Sequence, residues 1–496
     1  DDAGEPEEQY EGRFYGWFRR LLDRCLDRRK SVVIVAAART PQGRLKGQLA
    51  SFTAPQLGGF AIAGALAQGS IPADAVDAVI LGQVLPAGSG QNPARQAAIA
   101  GGLGWNVPAS AVNKVCLSGL TAIIDAKRMI ASGDAKVVVA GGMESMTRAP
   151  HLLMGSRDGW TYGSVEVLDH MAYDGLTDAY DRESMGASTE RLNPTYEITR
   201  EAQDHVAALS HQRAAAARDA GVFDAEIAAV EVPQRRGEPV RVTTDEGIRA
   251  DTTEESLAGL RPAFSKDGTI TAGSSSQISD GAAAVVLTTR SHADERGWPV
   301  LAVIGAAGQV AGPDNSLHAQ PARAIAQALG RQSLTASDLD FVEINEAFGA
   351  VVVRSQAELG LSEDVVNIHG GGIALGHPIG ASGGRLVVHA VHELVRRGGG
   401  TAAVGLCGAG DVGHGGQRRA ERHGQRQREC RLHDVTSGSM IVATACAAMP
   451  SPRPVKPSFS LVVALTLTAS MPTPQACAMR SRMACTLACP SVSVSA

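Results

Sequence analysis

The chain has 496 residues, is 44% hydrophobic and 20% charged, and carries a net charge of −5. Its length suits about two to four domain-sized units, and its composition is that of an ordinary globular protein. The charge balance excludes the basic footprint of a nucleic-acid binder. No apolar run approaches the ~18 residues of a membrane-spanning helix. The best candidate, residues 461–467, is far too short. Of the 8 cysteines, only Cys116 and Cys407 lie in the well-patterned middle of the chain. That distribution is not a disulfide framework and fits a cytoplasmic protein with reactive or buried thiols.

Residues 1–30 are rich in charge, carry Tyr10, Phe14, Tyr15, Trp17 and Phe18, and lack a secretory signal pattern. They are expected to lie outside the core. From residue 31 the patterning is α/β. The runs 31–36, 76–81 and 137–140 are apolar except for Ser31 and Asp77, as in strands buried on both faces. Helical periodicity over 118–131 falls between such strands, which predicts a mostly parallel sheet. An internal repeat then appears. Residues 70–82 resemble residues 333–345 without a gap, an offset of 263, and the same offset carries Cys116 into Gly376-His-Pro-Ile-Gly380. The strand at 137–142 maps near 402–407. The chain therefore divides into a first half at 31–147, an insert at 148–274 with a helix from 200 to 220, a return to the first half at 275–297, and a second half at 298–410. Residues 411–496 form an atypical tail.

Several residues in this frame could carry chemistry. Cys116, in Asn113-Lys-Val-Cys-Leu-Ser-Gly119, precedes a predicted helix. Unpaired backbone N–H groups and the positive end of the helix dipole favour a thiolate there, the nucleophilic form. Taken alone, Cys116 fits a buried structural thiol as well. His377, in the glycine-rich stretch 370–384, could take a proton or steady an oxyanion, or could be a turn histidine. Cys407 and Asn345 each follow a predicted strand, at the strand ends where α/β sites gather. Both also fit as caps or core residues.

Together these pieces become specific. Asn113-Lys-Val-Cys-Leu-Ser-Gly119, Asn345-Glu-Ala-Phe348, Gly376-His-Pro-Ile-Gly380 and Cys407-Gly-Ala-Gly410, in this order and spacing, resemble the thiolase signatures. Gly141-Gly-Met-Glu-Ser145 and Thr271-Ala-Gly-Ser-Ser-Ser276 resemble thiolase segments too. The resemblance covers about residues 31–410. It implies two similar α/β halves forming a five-layer α-β-α-β-α core with an inserted loop domain. It implies Cys116 as the acyl-accepting nucleophile, His377 as its activator, Cys407 as the second acid–base group and Asn345 as holder of a water in an oxyanion site. The backbone N–H groups of Cys116 and Ala409 would form a second oxyanion site. Arg249, Ser256, Ala272, Ser276, Leu176, Met185 and Phe348 would line the coenzyme A site. The chemistry needs no metal and no resident cofactor, because coenzyme A thioesters are the substrates. The details lean toward interconversion of two acetyl-CoA with acetoacetyl-CoA and free CoA, and a broader 3-ketoacyl-CoA thiolase of fatty-acid degradation is the alternative. A ketoacyl synthase is disfavoured, because a second cysteine stands where that family has a histidine. A cytoplasmic homo-oligomer, dimer or tetramer, is implied, with no nucleic-acid or membrane partner.

The tail departs from that pattern. After Gly410 another glycine turn and a last apolar strand are expected, but residues 411–423 are polar and charged, a run that no sheet interior favours. A reading-frame slip near Gly410 accounts for it, since a one-nucleotide shift lets the same stretch encode a glycine turn and an apolar run. The tail is then disordered or frame-shifted, and an inactive thiolase-like protein that binds coenzyme A stays open as a different class of reading.

Overall fold

A computed structural model describes residues 29–408 and the strand Val462–Ser470. Nine strands order the main sheet. They are β1 (Val32–Arg39), β2 (Ala78–Gly82), β3 (Ala109–Val112), β4 (Val137–Ser145), β5 (Ser279–Thr289), β6 (Ala302–Val310), β7 (Phe341–Ile344), β8 (Gly399–Leu406) and β9 (Val462–Ser470). Every residue of β1, β2, β4 and β7 is buried, which is why these segments read as largely apolar instead of alternating, with Arg39, Glu144, Ser145 and Glu343 as buried exceptions.

The sheet is continuous in the order β7-β8-β9-β6-β1-β5-β4-β2-β3, with the two-residue strand Gly43–Arg44 added on β5. It consists of two half-sheets of the same design. In the first, β2 is parallel to β3 and β4, and β5 runs antiparallel to both β4 and β1. In the second, β7 is parallel to β8, and β9 runs antiparallel to both β8 and β6. A parallel bridge from Val342 to Val366 stands beside β7 as β3 stands beside β2. The half-sheets meet where β1 pairs with β6 through Val33–Val303 and Ile34–Ala302.

The sequence repeat is a structural repeat. The short turn Ala73–Ala75 before β2 recurs as Ala336–Asp338 before β7. Helix α1 (Ser118–Ser132) recurs as α2 (Ser382–Arg396), 264 residues on. These two helices make the central layer. Leu120 and Ile123 from one and Leu386 and Val391 from the other share a buried cluster with Ile80 and Val138 of the first half-sheet and Phe341 and Val404 of the second. Each such side chain contributes roughly 1.5–3 kcal/mol by burial. Glycine lets the layer close: a Cβ on Gly383 would lie 2.4 Å from Leu120 N, and one on Gly119 would lie 2.9 Å from Gly384 N. The helix Ala54–Gln68 covers the outer face of the first half-sheet, and helices Gln320–Gly330 and Gly349–Leu359 cover that of the second. The result is the five-layer α-β-α-β-α core expected from the sequence.

The insert contains helix Arg200–Asp219, capped by the Thr199 side chain, which accepts from Ala202 N. A buried ionic cluster ties the insert to the core. Arg39 at the end of β1 donates to Asp245 through both terminal nitrogens, at 2.7 and 2.9 Å, and through Nε to Glu226 at 2.7 Å. Glu226 also meets His389 of α2 at 2.9 Å.

The tail needs a correction. Residues 462–470 are not outside the fold: they supply β9, inserted between β8 and β6. The segment's sequence is uncharged and rich in residues of high strand propensity, whereas 411–423 is polar and charged. Residues 411–423, on which the frame-slip reading rests, and the extension 1–28 lie outside the described residues. Among the described residues, no helix is long and apolar enough to cross a membrane.

Candidate active site

The loop after β3 delivers Cys116 immediately ahead of α1, whose cap is Leu117. The preceding residue, Val115, has φ of +51°, a left-handed conformation that costs a β-branched residue ~1–2 kcal/mol. Local hydrogen bonds hold it: Val115 N donates to Asn113 Oδ1 at 3.0 Å, and Ser118 Oγ donates to Val115 O at 2.6 Å. The bend turns the Cys116 side chain toward the second half of the molecule.

His377 comes from the loop before α2. Its backbone N–H donates to Gln277 O at 3.0 Å. Its imidazole Nε2 lies 3.2 Å from Cys116 Sγ, and Nδ1 lies 2.5 Å from Ser382 Oγ. Ser382 Oγ in turn donates to Pro378 O at 3.0 Å. With that hydroxyl hydrogen committed, Ser382 can only accept from Nδ1–H, so Nε2 is left as the basic nitrogen facing the thiol. Asn345, which follows β7, places Nδ2 3.3 Å from the same Nε2. Asn345 Oδ1 is buried and has no hydrogen-bond partner among the described residues.

Cys407 immediately follows β8 and is 1% exposed. It is close enough to Cys116 for that thiol to raise its pKa. The following residue, Gly408, packs on Leu117: a Cβ there would lie 2.8 Å from the leucine Cγ. Cys116, His377, Asn345 and Cys407 are thus brought together from sequence positions up to 291 residues apart, one from the first half and three from strand and helix ends of the second. Ala409, expected to supply an oxyanion N–H, lies outside the described residues.

The electrostatics differ from the expectation of a thiolate at a helix end. Burial pushes the Cys116 thiol up to about 12, opposed by its backbone N–H and reinforced by nearby Glu144. Burial raises the Cys407 thiol as well. Burial, assisted by Arg385, pushes the His377 imidazole down to about 3. Burial thus favours the neutral thiol and the neutral imidazole, in opposition to the helix dipole. Proton transfer between them waits for charge to develop on a substrate.

The expected coenzyme A residues fall on the insert and its junction with the core. Met185 N donates to Leu176 O at 2.8 Å, Met185 and Phe348 share one apolar cluster, and Ser276 N donates to Ala347 O at 3.0 Å. Leu176 packs in the same apolar group as Cys116. Arg249, Ser256 and Ala272 are exposed. A cavity of about 300 Å³ between helices Arg200–Asp219 and Gly349–Leu359 is lined by Glu346 and Asn367, but by neither cysteine nor His377. Among the described residues, no group of three or more His, Cys, Asp or Glu could hold a metal ion.

Sequence reasoning passed over two members of the site. Ser382 lies in the glycine-rich stretch with His377, and its five-residue separation across the start of a helix was the available signal. Glu144 lies in Gly141-Gly-Met-Glu-Ser145, where a carboxylate at the end of a wholly buried strand is anomalous.

Comparisons with known proteins agree with this architecture. The chain matches the family model for the thiolase N-terminal domain over residues 32–291 and that for the thiolase C-terminal domain over residues 298–417. A Mycobacterium tuberculosis protein named probable acetyl-CoA acetyltransferase is 58% identical over 381 residues, covering 77% of this chain and 97% of that protein. An acetyl-CoA acetyltransferase of Cupriavidus necator is 47% identical over 382 residues, covering 77% and 97%. The crystal structure of the Bacillus anthracis acetyl-CoA acetyltransferase superimposes with a TM-score of 0.77 at 35% identity, covering 88% of this chain and 98% of that one. With two matching domains, close relatives and a shared fold around the cysteine–histidine pair, the chain belongs to the thiolase family.

Proposed function

We propose that this thiolase is an acetyl-CoA acetyltransferase that interconverts two acetyl-CoA with acetoacetyl-CoA and free CoA through an acyl-cysteine. The contact of Cys116 Sγ with His377 Nε2 at 3.2 Å carries this reading. Cys116 attacks the thioester carbonyl of the first acetyl-CoA while Nε2 takes the thiol proton. The tetrahedral intermediate collapses to acyl-Cys116, and the departing CoA sulfur takes its proton from Cys407, which leaves Cys407 as a thiolate while His377 keeps the Cys116 proton. The Cys407 thiolate then removes a proton from the methyl group of a second acetyl-CoA. The resulting enolate carbon attacks the acyl carbonyl, forming the carbon–carbon bond, and Cys116 leaves and takes back its proton from His377.

Two oxyanions need stabilising. The backbone N–H groups of Cys116 and Ala409 serve the acyl carbonyl. His377, with a water held by Asn345, serves the enolate, a role that the free buried acceptor Asn345 Oδ1 suits. One such donor is worth ~3 kcal/mol. Leu176, Met185, Arg249, Ser256, Ala272, Ser276 and Phe348 form the coenzyme A surface in this scheme. The substrates are coenzyme A thioesters, the chemistry uses no resident cofactor, and a cytoplasmic dimer or tetramer is the assembly that goes with it.

The test is thiolysis of acetoacetyl-CoA by free CoA, beside a Cys116→Ala control. Turnover by the parent that vanishes in the control is the expected result. A folded parent without turnover would overturn the reading, and faster turnover of longer 3-ketoacyl-CoA substrates would replace it with the broader thiolase.

A further inference from the structure

Glu144 is fully buried at the end of β4, yet the reaction scheme gives it no role. Its carboxylate accepts three backbone N–H groups. Oε2 receives Val84 at 2.9 Å and Gly380 at 3.0 Å, and Oε1 receives Leu85 at 3.2 Å. Val84 and Leu85 belong to the loop after β2, in the first half. Gly380 lies three residues beyond His377, in the second half. Val84 is linked onward to the nucleophile's loop, because its carbonyl accepts from Asn113 Nδ2 at 3.3 Å and Asn113 Oδ1 accepts from Val115 N at 3.0 Å. The backbones around this clamp are in direct contact: a Cβ on Gly142 would lie 2.0 Å from Gly380 O, and one on Gly380 would lie 2.7 Å from Glu144 Oε2.

Cys116 and His377 come from different halves, and their 3.2 Å contact depends on how the two loops are held together. We propose that Glu144 is a positioning residue that joins the His377 loop to the Cys116 loop and so fixes the thiol–imidazole distance. It rests on the reading that this pair does the chemistry. Burial pushes the Glu144 carboxyl up to about 7 despite the three N–H donors, so the fold retains a costly group at this junction. Three backbone N–H groups converging from two halves are what an ordinary apolar core residue could not satisfy.

Glu144→Gln keeps the shape and one strong acceptor but turns an NH2 toward a backbone donor. In the full chain it is expected to lower kcat for acetoacetyl-CoA thiolysis about 10- to 100-fold, because small misplacements of reacting groups are costly. KM for both substrates should stay within about twofold, and Glu144→Ala should lose more than Glu144→Gln. Alkylation of Cys116 by iodoacetamide separates positioning from mere charge. Removing a negative charge near the thiol would by itself ease ionisation and speed alkylation, whereas losing the histidine contact slows it. Alkylation about tenfold slower in Glu144→Gln, with a parental unfolding transition, supports the proposal. An unchanged or faster rate, or a kcat loss matched by a KM rise, overturns it. If Glu144→Gln does not fold, Asn113→Ala, at an exposed position in the same chain of bonds, decides: slower alkylation supports the link and a parental rate overturns it. Because alkylation needs no turnover, an inactive parent would refute the catalytic reading while leaving this measurement intact.

Discussion

The two halves of the molecule have one design and close it in different ways. In the first half the closing strand β5 arrives directly from the insert and pairs with β4 through nine residues, from Asp280–Ser145 to Thr288–Val137. In the second half the equivalent slot, between β8 and β6, is filled by β9, whose first residue is Val462, although β8 ends at Leu406. The two slots match in detail. Each closing strand is antiparallel to both neighbours, and each has an irregular register against its inner neighbour, between Ile34 and Ala36 on β1 and between Ile304 and Ala307 on β6. A slot flanked on both sides by strands demands a strand, because unfilled it leaves two rows of buried N–H and C=O groups unpaired. Chain proximity decides little, since lengthening a loop costs only ~0.6 kcal/mol per doubling. What the slot selects is an uncharged segment rich in β-branched and apolar residues, and 462–470 is one.

The sharpest difference between the halves is expected in the chemistry, where each supplies one thiol. Cys116→Ala should reduce thiolysis by about 10⁴-fold or more, as losses of catalytic nucleophiles do. Steady-state rates check this, and a residual rate within tenfold of the parent would assign the nucleophile elsewhere.

Proline then tests whether the two closing strands are equivalent. Val285→Pro in β5 and Leu465→Pro in β9 each remove a ladder donor from a central strand, at a cost of ~3 kcal/mol or more. Loss of the cooperative unfolding transition in both variants is the expected result. A Leu465→Pro chain that melts like the parent would show that the second half does not depend on β9.

The insert is docked on the first half by Arg39, Glu226 and Asp245, all buried. Asp245→Asn leaves the guanidinium poorly compensated and should destabilise the fold by ~3–5 kcal/mol. Denaturant unfolding measures it.

The smallest expected effect lies in the pH response of the thiol in the first half. With Cys116 pushed up to about 12 and His377 down to about 3, the unliganded pair is neutral across the physiological range. The rate of Cys116 alkylation should therefore climb about tenfold per pH unit through pH 7 to 9, with the thiolate fraction. A plateau starting near pH 6.5 would instead reveal a thiolate–imidazolium pair.

Much of this was legible in the sequence. Strands buried on both faces show as apolar runs, so β1, β2 and β4 could be placed. The expected mostly parallel sheet is corrected to a mixed one, since β1 is antiparallel to both neighbours and apolar runs report burial, not strand direction. The 263-residue offset exposed the duplication, because equivalent turns and strands need equivalent residues. Cys116, His377, Asn345 and Cys407 stood out because thiol, imidazole and amide groups at glycine-rich strand and helix ends are chemically specific. Ser382 and Glu144 did not, since a serine after a glycine and a glutamate in a strand acquire meaning only from the groups they meet. The desolvation that opposes the helix dipole at the thiol did not show for the same reason: the dipole is visible along the chain, and burial is not.

The sequence by itself thus determined the repeated α/β halves, the insert and the identity of the reactive side chains, since periodicity and local chemistry are properties of neighbouring residues. Only the tertiary structure decided that residues 462–470 close the second half-sheet, that Ser382 sets the tautomer of His377, and that Glu144 spans the two loops. Each of these depends on hydrogen bonding or burial between atoms set side by side by packing, and neither is written in the order of the chain.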